Sequence, residues 1–174
     1  TLSNRLKRKD LAYFLNKVKR VNANKKLDIK NINYISLEYQ DSVQAVVNNT
    51  LLTLDSNGNF KQNSSVKLLS LLVSICKVMD YKYIERDYPE LKKYKDKWMY
   101  KYLSISIDNG LLLKSELKQI NRSILHATFL KVTARIPEIE SKIISELKFT
   151  DSPKQHVSYK RVVHLKKPVT LSKR

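Results

Sequence analysis

Glycine and proline are scarce in this sequence, two and four among 174 residues. All-β folds spend both residues on their many turns, so the shortage points to helices. It also excludes the usual nucleotide cradles. A Walker loop or a dinucleotide fingerprint needs several glycines in one short segment, and Gly58 and Gly110 stand far apart. Cysteine occurs once, as Cys76, which leaves no partner for an intrachain disulfide and fits a reducing compartment. Its position inside the apolar run 66–76 argues against a catalytic thiol, because apolar surroundings raise the thiol pKa and suppress the thiolate. Zinc needs about four ligands at workable spacing, and beyond Cys76 there are only His126, His156 and His164, widely scattered. Neither a metal nor a cofactor is expected.

Long apolar runs are missing as well. No window approaches the roughly 18 uninterrupted apolar residues of a membrane span. The chain opens on Thr1 rather than Met and has no apolar signal segment, which leads to the expectation of a removed leader of the transit-peptide kind. The segment Asp55-Ser56-Asn57-Gly58-Asn59 has the look of a calcium loop, but Phe60 occupies the position that requires glycine and Val66 the position of the bidentate Glu. Glu138, Glu140 and Glu146 fall among lysines on an amphipathic stretch and read as a solvated face, not as an acid–base pair. Asn48, Asn63 and Asn121 begin triplets of the glycosylation pattern, which chance explains in so asparagine-rich a chain.

What the sequence does have is positive charge, +18 formally. Self-repulsion on that scale calls for a polyanion or an acidic partner. Residues 1–30 hold ten Lys or Arg against Asp10 and Asp28, a net of +8. Residues 148–174 hold eight against Asp151, a net of +7, so the long middle carries only +3. The composition therefore divides the chain into a basic N-terminal helix and linker (1–33), a helical domain (34–150) and an extended basic C-terminal tail (151–174).

Apolar spacing predicts a mainly α protein, a single helical domain of five to six helices with extended basic terminal segments. Ser3 caps a helix running to about Val21, with Leu6, Tyr13, Phe14 and Val18 on its apolar face. Residues 22–33 are polar and read as a linker. A second helix follows from about Asp41 through Val47. The Asn57-Gly58 step near 51–62 marks either a short hairpin or a helix-ending loop. Ser64 or Ser65 opens a strongly apolar helix to Met79. Asp87 and Pro89 start another that runs through Trp98 to Ile107 and stops at Asp108-Asn109-Gly110. Ser115 begins a helix extending past Phe129 to Val132, and Pro137 begins a shorter one reaching Leu147. No internal repeat is evident.

The two ends are the candidate binding elements. Arg5, Lys7, Arg8, Lys9, Lys17, Lys19, Arg20, Lys25 and Lys26 at the front, and Lys154, Lys160, Arg161, Lys166, Lys167, Lys173 and Arg174 at the back, suit neutralisation of RNA phosphates with release of counterions. A second feature lies in the middle, where Lys92, Lys93, Lys95, Lys97 and Lys101 interleave with Tyr94, Trp98, Tyr100 and Tyr102. Two readings stand here. Cations and rings sharing one surface can pair phosphates and stack on exposed bases; alternatively, Trp98 and Tyr102, four apart, pack into the core while the lysines solvate the opposite face.

A near-neutral helical body between basic ends, with a Lys, Asn, Ile and Tyr bias, resembles the ribosomal proteins of mitochondria, in particular the mitochondrion-specific large-subunit proteins of the yeast type. The resemblance implies a structural component of the large subunit in the mitochondrial matrix, bound to ribosomal RNA and neighbouring ribosomal proteins, with no small-molecule substrate. It also implies a domain resembling an acyl carrier protein. The chain departs from that pattern, since Asp55-Ser56 is followed by Asn57 and Ser64-Ser65 lacks a preceding Asp, so no phosphopantetheine arm is expected. The competing reading is a sequence-specific DNA-binding protein of phage or plasmid origin with 111–125 as recognition helix. A nucleic-acid-processing enzyme is a third, and it lacks a metal or acid–base cluster.

Overall fold

In the computed structural model, which describes residues 1–19 and 27–139, the chain forms five α-helices: α1 (Arg8–Lys19), α2 (Leu37–Asn48), α3 (Leu68–Val78), α4 (Tyr100–Asp108) and α5 (His126–Thr133). Short 3-10 segments at Ile32–Tyr34, Pro89–Tyr94 and Lys114–Gln119 join them, and the described residues contain no strand longer than an isolated bridge. The mainly α expectation holds. The shorter helix beginning at Pro137 and the tail 151–174 lie largely or wholly outside the described residues.

Each helix buries the stripe its spacing demands. Leu11, Ala12, Phe14 and Leu15 of α1 are inaccessible to solvent, as are Val43 and Val46 of α2 and Leu71, Leu72 and Ile75 of α3. Phe14 meets Phe129 of α5 edge to face, with centroids 4.9 Å apart. One apolar cluster runs from Leu6 to Ile139, so the basic N-terminal helix is also a core element.

The helix starts differ from expectation in a systematic way. Spacing placed them at Ser3, at Ser64 or Ser65, and at Ser115; they fall at Arg8, Leu68 and His126. Ahead of each lies an extended stretch, and the three stretches pair with one another. The Leu6 N–H donates to the Ile124 carbonyl (3.0 Å), the Ile124 N–H to Val66 (2.9 Å) and the Val66 N–H to Leu6 (2.9 Å), a closed triangle of backbone bonds. Flanking bonds repeat the arrangement: Arg8 to Ser64, Leu68 to Arg122, and His126 to Asn4. Each residue has exchanged local helical bonding for a partner 58 or 60 positions along the chain, or across the full closure.

The helix ends repeat too. Thr50, Asp80 and Gly110 take up the left-handed conformation, with φ of 56°, 53° and 67°. Their N–H groups bond to Val47, Lys77 and Ile107, and those of Leu51, Tyr81 and Leu111 bond to Val46, Cys76 and Ser106. These are three copies of one glycine-type helix stop. Among the described residues the paired extended segments thus recur every 58 or 60 positions and the helix stops every 30, a structural recurrence where the sequence shows no evident repeat. The equivalence is visible in sequence only at Asn49-Thr50-Leu51-Leu52 and Asn109-Gly110-Leu111-Leu112.

Two further expectations change. Residues 51–62 make no hairpin. Asp55–Gly58 is a tight turn, closed by Gly58 N–H to the Asp55 carbonyl, with Gly58 at φ 78°. The linker docks on it through Lys30 N–H to the Gly58 carbonyl (3.2 Å) and Phe60 N–H to Asn31 Oδ1 (2.9 Å). The helix expected from Asp87 to Ile107 is divided, because the 3-10 turn at Pro89–Tyr94 buries Leu91 and Tyr94 and a turn then resets the phase before α4.

Candidate nucleic-acid interface

The triangle has an inner and an outer face. Alternation along an extended chain sends Leu6, Val66 and Ile124 into the core, where they are at most 4% exposed. Arg5, Lys7, Ser65, Lys67, Ser123 and Leu125 therefore share the opposite face, and they are also the residues paired by bridges: Arg5 with Leu125, Lys7 with Ser65, Lys67 with Ser123. Arg5 and Lys67 are exposed, Lys7 is half-buried, and exposed Arg122 stands at the rim. The three segments 2–9, 62–69 and 120–127 contain no Asp or Glu. Helices α1, α3 and α5 all begin here, so their positive ends add to the side-chain charge. Beside the triangle, Arg8, Ser65, Lys67 and Ser70 line part of a shallow cavity of about 280 Å³.

The candidates chosen from sequence do not all serve this surface. Arg5 and Lys7 do. Arg8 is turned inward: its Nε donates to the Phe60 carbonyl (3.1 Å), a terminal nitrogen donates to Thr53 (2.6 Å), and the guanidinium sits 4.7 Å from the centre of the Phe60 ring. Burial lowers its pKa while nearby Asp55 opposes the shift, as fits a cation that staples the 53–60 loop to α1. Lys9 lies over the Tyr39 ring (5.1 Å) and Lys17 over Tyr13 (5.3 Å). Lys19 is exposed at the far end of α1, beside Asn49, Thr50, Lys77 and Asp80. Arg20, Lys25, Lys26, Lys154, Lys160, Arg161, Lys166, Lys167, Lys173 and Arg174 lie outside the described residues. Lys67 and Arg122 were missed because neither sits in a basic run. The backbone pairing sets Lys67 at the position of Lys7, whereas Arg122 takes the position of Asn4 and Ser64 and is brought to the rim by the tertiary structure alone.

The aromatic stretch of the middle region divides between the two readings, with Trp98 exposed, Tyr94 buried and Tyr100 and Tyr102 half-buried against the core. Trp98 is 66% exposed and meets, edge to face at 6.2 Å, the ring of Tyr102, which is half-buried against the core. Tyr94 takes the buried position instead, with Lys93 and Lys97 over its ring at 4.9 and 5.7 Å. Core packing is therefore overturned for Trp98, which lies in the turn ahead of α4, and holds in part for Tyr102.

Elsewhere the chemistry is quiet. Cys76 is buried between α3 and α4, 3.4 Å from the Ser106 hydroxyl, and burial pushes its thiol up to about 11. Among the described residues no group of three or more His, Cys, Asp or Glu could hold a metal ion, and no helix is long and apolar enough to cross a membrane. His126 is buried with Nδ1 3.1 Å from the Thr1 carbonyl, which only accepts, so Nδ1 carries the proton in that bond. The residues 111–125 form a 3-10 turn and an extended segment, so the recognition helix that a duplex-DNA reading needs is replaced by part of the triangle. No family model, curated protein or solved structure matches the chain.

Proposed function

We propose that this protein is a non-catalytic RNA-binding component of a ribonucleoprotein particle, in the finer reading a structural protein of the mitochondrial large ribosomal subunit. One observation carries the proposal: Arg5, Lys7 and Lys67 share one face of the triangle, with Arg122 at its rim, in segments without a carboxylate. A like-charged platform at the junction of three helices favours phosphates. The net charges of +8 and +7 at the two ends of the sequence extend that preference beyond the platform. The mitochondrial assignment rests on the compositional resemblance alone.

Binding of the full chain to structured RNA and to duplex DNA across a salt series tests this reading. Replacing Arg5, Lys67 and Arg122 together by Gln should lower the slope of log affinity against log salt by about 2 to 3, close to one per lost phosphate contact. An unchanged slope removes the platform from the interface. Sequence-selective duplex DNA binding that survives high salt overturns the RNA reading. Co-sedimentation of the tagged chain with mitochondrial large subunits tests the finer assignment, and its absence from those particles refutes it.

A further inference from the structure

A second surface matches a different part of an RNA. Trp98 presents 66% of its surface to solvent at the turn before α4, although an indole is among the costliest side chains to leave in water. Around it in sequence stand Lys92, Lys93, Lys95, Lys97 and Lys101, all exposed, against Asp96 alone. The position is built and not frayed: Lys97 N–H bonds to the Tyr94 carbonyl (2.8 Å), Tyr100 N–H to Lys97 (2.9 Å), and Tyr102 meets the indole at 6.2 Å. Lys93 and Lys97 are held over the Tyr94 ring, which fixes two cations close to the tryptophan in the chain. An apolar protein partner would explain the indole but not the lysines around it. A duplex would use the lysines but offer no open base to the indole, because its bases are already stacked on one another.

We propose that Trp98 is a stacking platform for an unpaired base of single-stranded RNA, with neighbouring lysines such as Lys95 and Lys97 holding the flanking phosphates. The proposal rests on the RNA-binding reading and adds the state of the RNA, an unpaired loop or end. Chemically, every base offers a π face and every nucleotide brings one phosphate, so the site takes unpaired nucleotides with little choice of sequence.

Trp98 is the one tryptophan of the chain, so its fluorescence reports this position alone. The full-length protein is titrated with oligouridine and with a blunt RNA duplex of equal nucleotide count, while fluorescence anisotropy of labelled RNA reports binding independently. Saturable quenching by the single strand, and little by the duplex, is the expected result. Trp98→Ala should weaken single-strand binding about five- to a hundred-fold and leave duplex binding and the far-UV circular dichroism unchanged. If anisotropy shows single-strand binding while Trp98 fluorescence stays constant, the stacking proposal is wrong and the RNA-binding reading stands. Equal quenching by duplex and single strand also overturns it. Failure to bind either RNA at low salt overturns the RNA-binding reading itself.

Discussion

Truncating Leu6 separates a core triangle from a basic extension. Leu6 is fully buried, lies only two residues before the first helix, and sits in a stretch that charge alone would class as an arm. Leu6→Ala removes the apolar group on the inner side of the triangle while its backbone bonds to Ile124 and Val66 remain possible. A Leu→Ala change at a fully buried site costs about 2 to 5 kcal/mol, from lost burial and the cavity left behind. In a chain of this size each kcal/mol moves the midpoint by about 2 to 4 °C, so a cost near 3 kcal/mol lowers it by about 6 to 12 °C. Ile124→Ala, at the equivalent position of the third segment, should cost a similar amount. Exposed Arg5→Ala should stay within about 0.5 kcal/mol. Far-UV circular dichroism followed through thermal and urea unfolding gives all three values. A loss below about 1 kcal/mol for Leu6→Ala, beside a large one for Ile124→Ala, would refute the closed triangle.

Mirrored substitutions at equivalent helix stops should act with opposite sign. Thr50→Gly relieves a β-branched residue at φ 56° and should stabilise by about 0.5 to 1 kcal/mol, the steric relief being partly offset by the freer unfolded chain. Gly110→Ala puts a Cβ into open space at φ 67°, so it meets conformational strain without a clash and should cost about 1 kcal/mol, read from the same melts. Arg135 and Glu116 form a two-bonded ion pair, both bonds 2.8 Å long, that ties the end of α5 to the 3-10 turn before it. Hydrogen bonding to Arg135 holds the Glu116 carboxyl below its ordinary value of about 4.5. The folded pKa being depressed, the pair's contribution is fully present above pH ~4.5 and is lost as pH falls through the lower folded value. Glu116→Gln should therefore lower the stability at neutral pH by about 1 kcal/mol, discounted for partial exposure, which is about 2 to 4 °C in the melting temperature, and the gap to the native protein should close in acid. A gap that persists below pH ~3 would assign the loss to shape and not to charge.

Much of the core was legible because a helix writes its buried face into the sequence every three or four residues. The stripes of α1 and α3, the stop at Asp108-Asn109-Gly110 and the turn at Asn57-Gly58 are local effects, and local chemistry suffices to read them. The missed features share one cause. Residues 5–7, 65–67 and 123–125 fall inside stretches that read as helix in isolation, and they are extended because each finds its backbone partners in the other two. Likewise, periodicity placed Trp98 beside Tyr102 but could not reveal a phase break that depends on Leu91 and Tyr94 finding the core.

By itself, then, the sequence determined that this protein is mainly helical and strongly basic, because composition and helical spacing are properties of neighbours along the chain. Which cations lie on one face was decided by the tertiary structure. Arg5 and Lys67 lie 62 positions apart and share a face only through the triangle, whereas Arg8, in the same basic run as Arg5, is turned inward to hold the Phe60 loop. Backbone groups must find hydrogen bonds somewhere, and in this chain it is the distant partner, not the adjacent residue, that sets which side chains face the solvent.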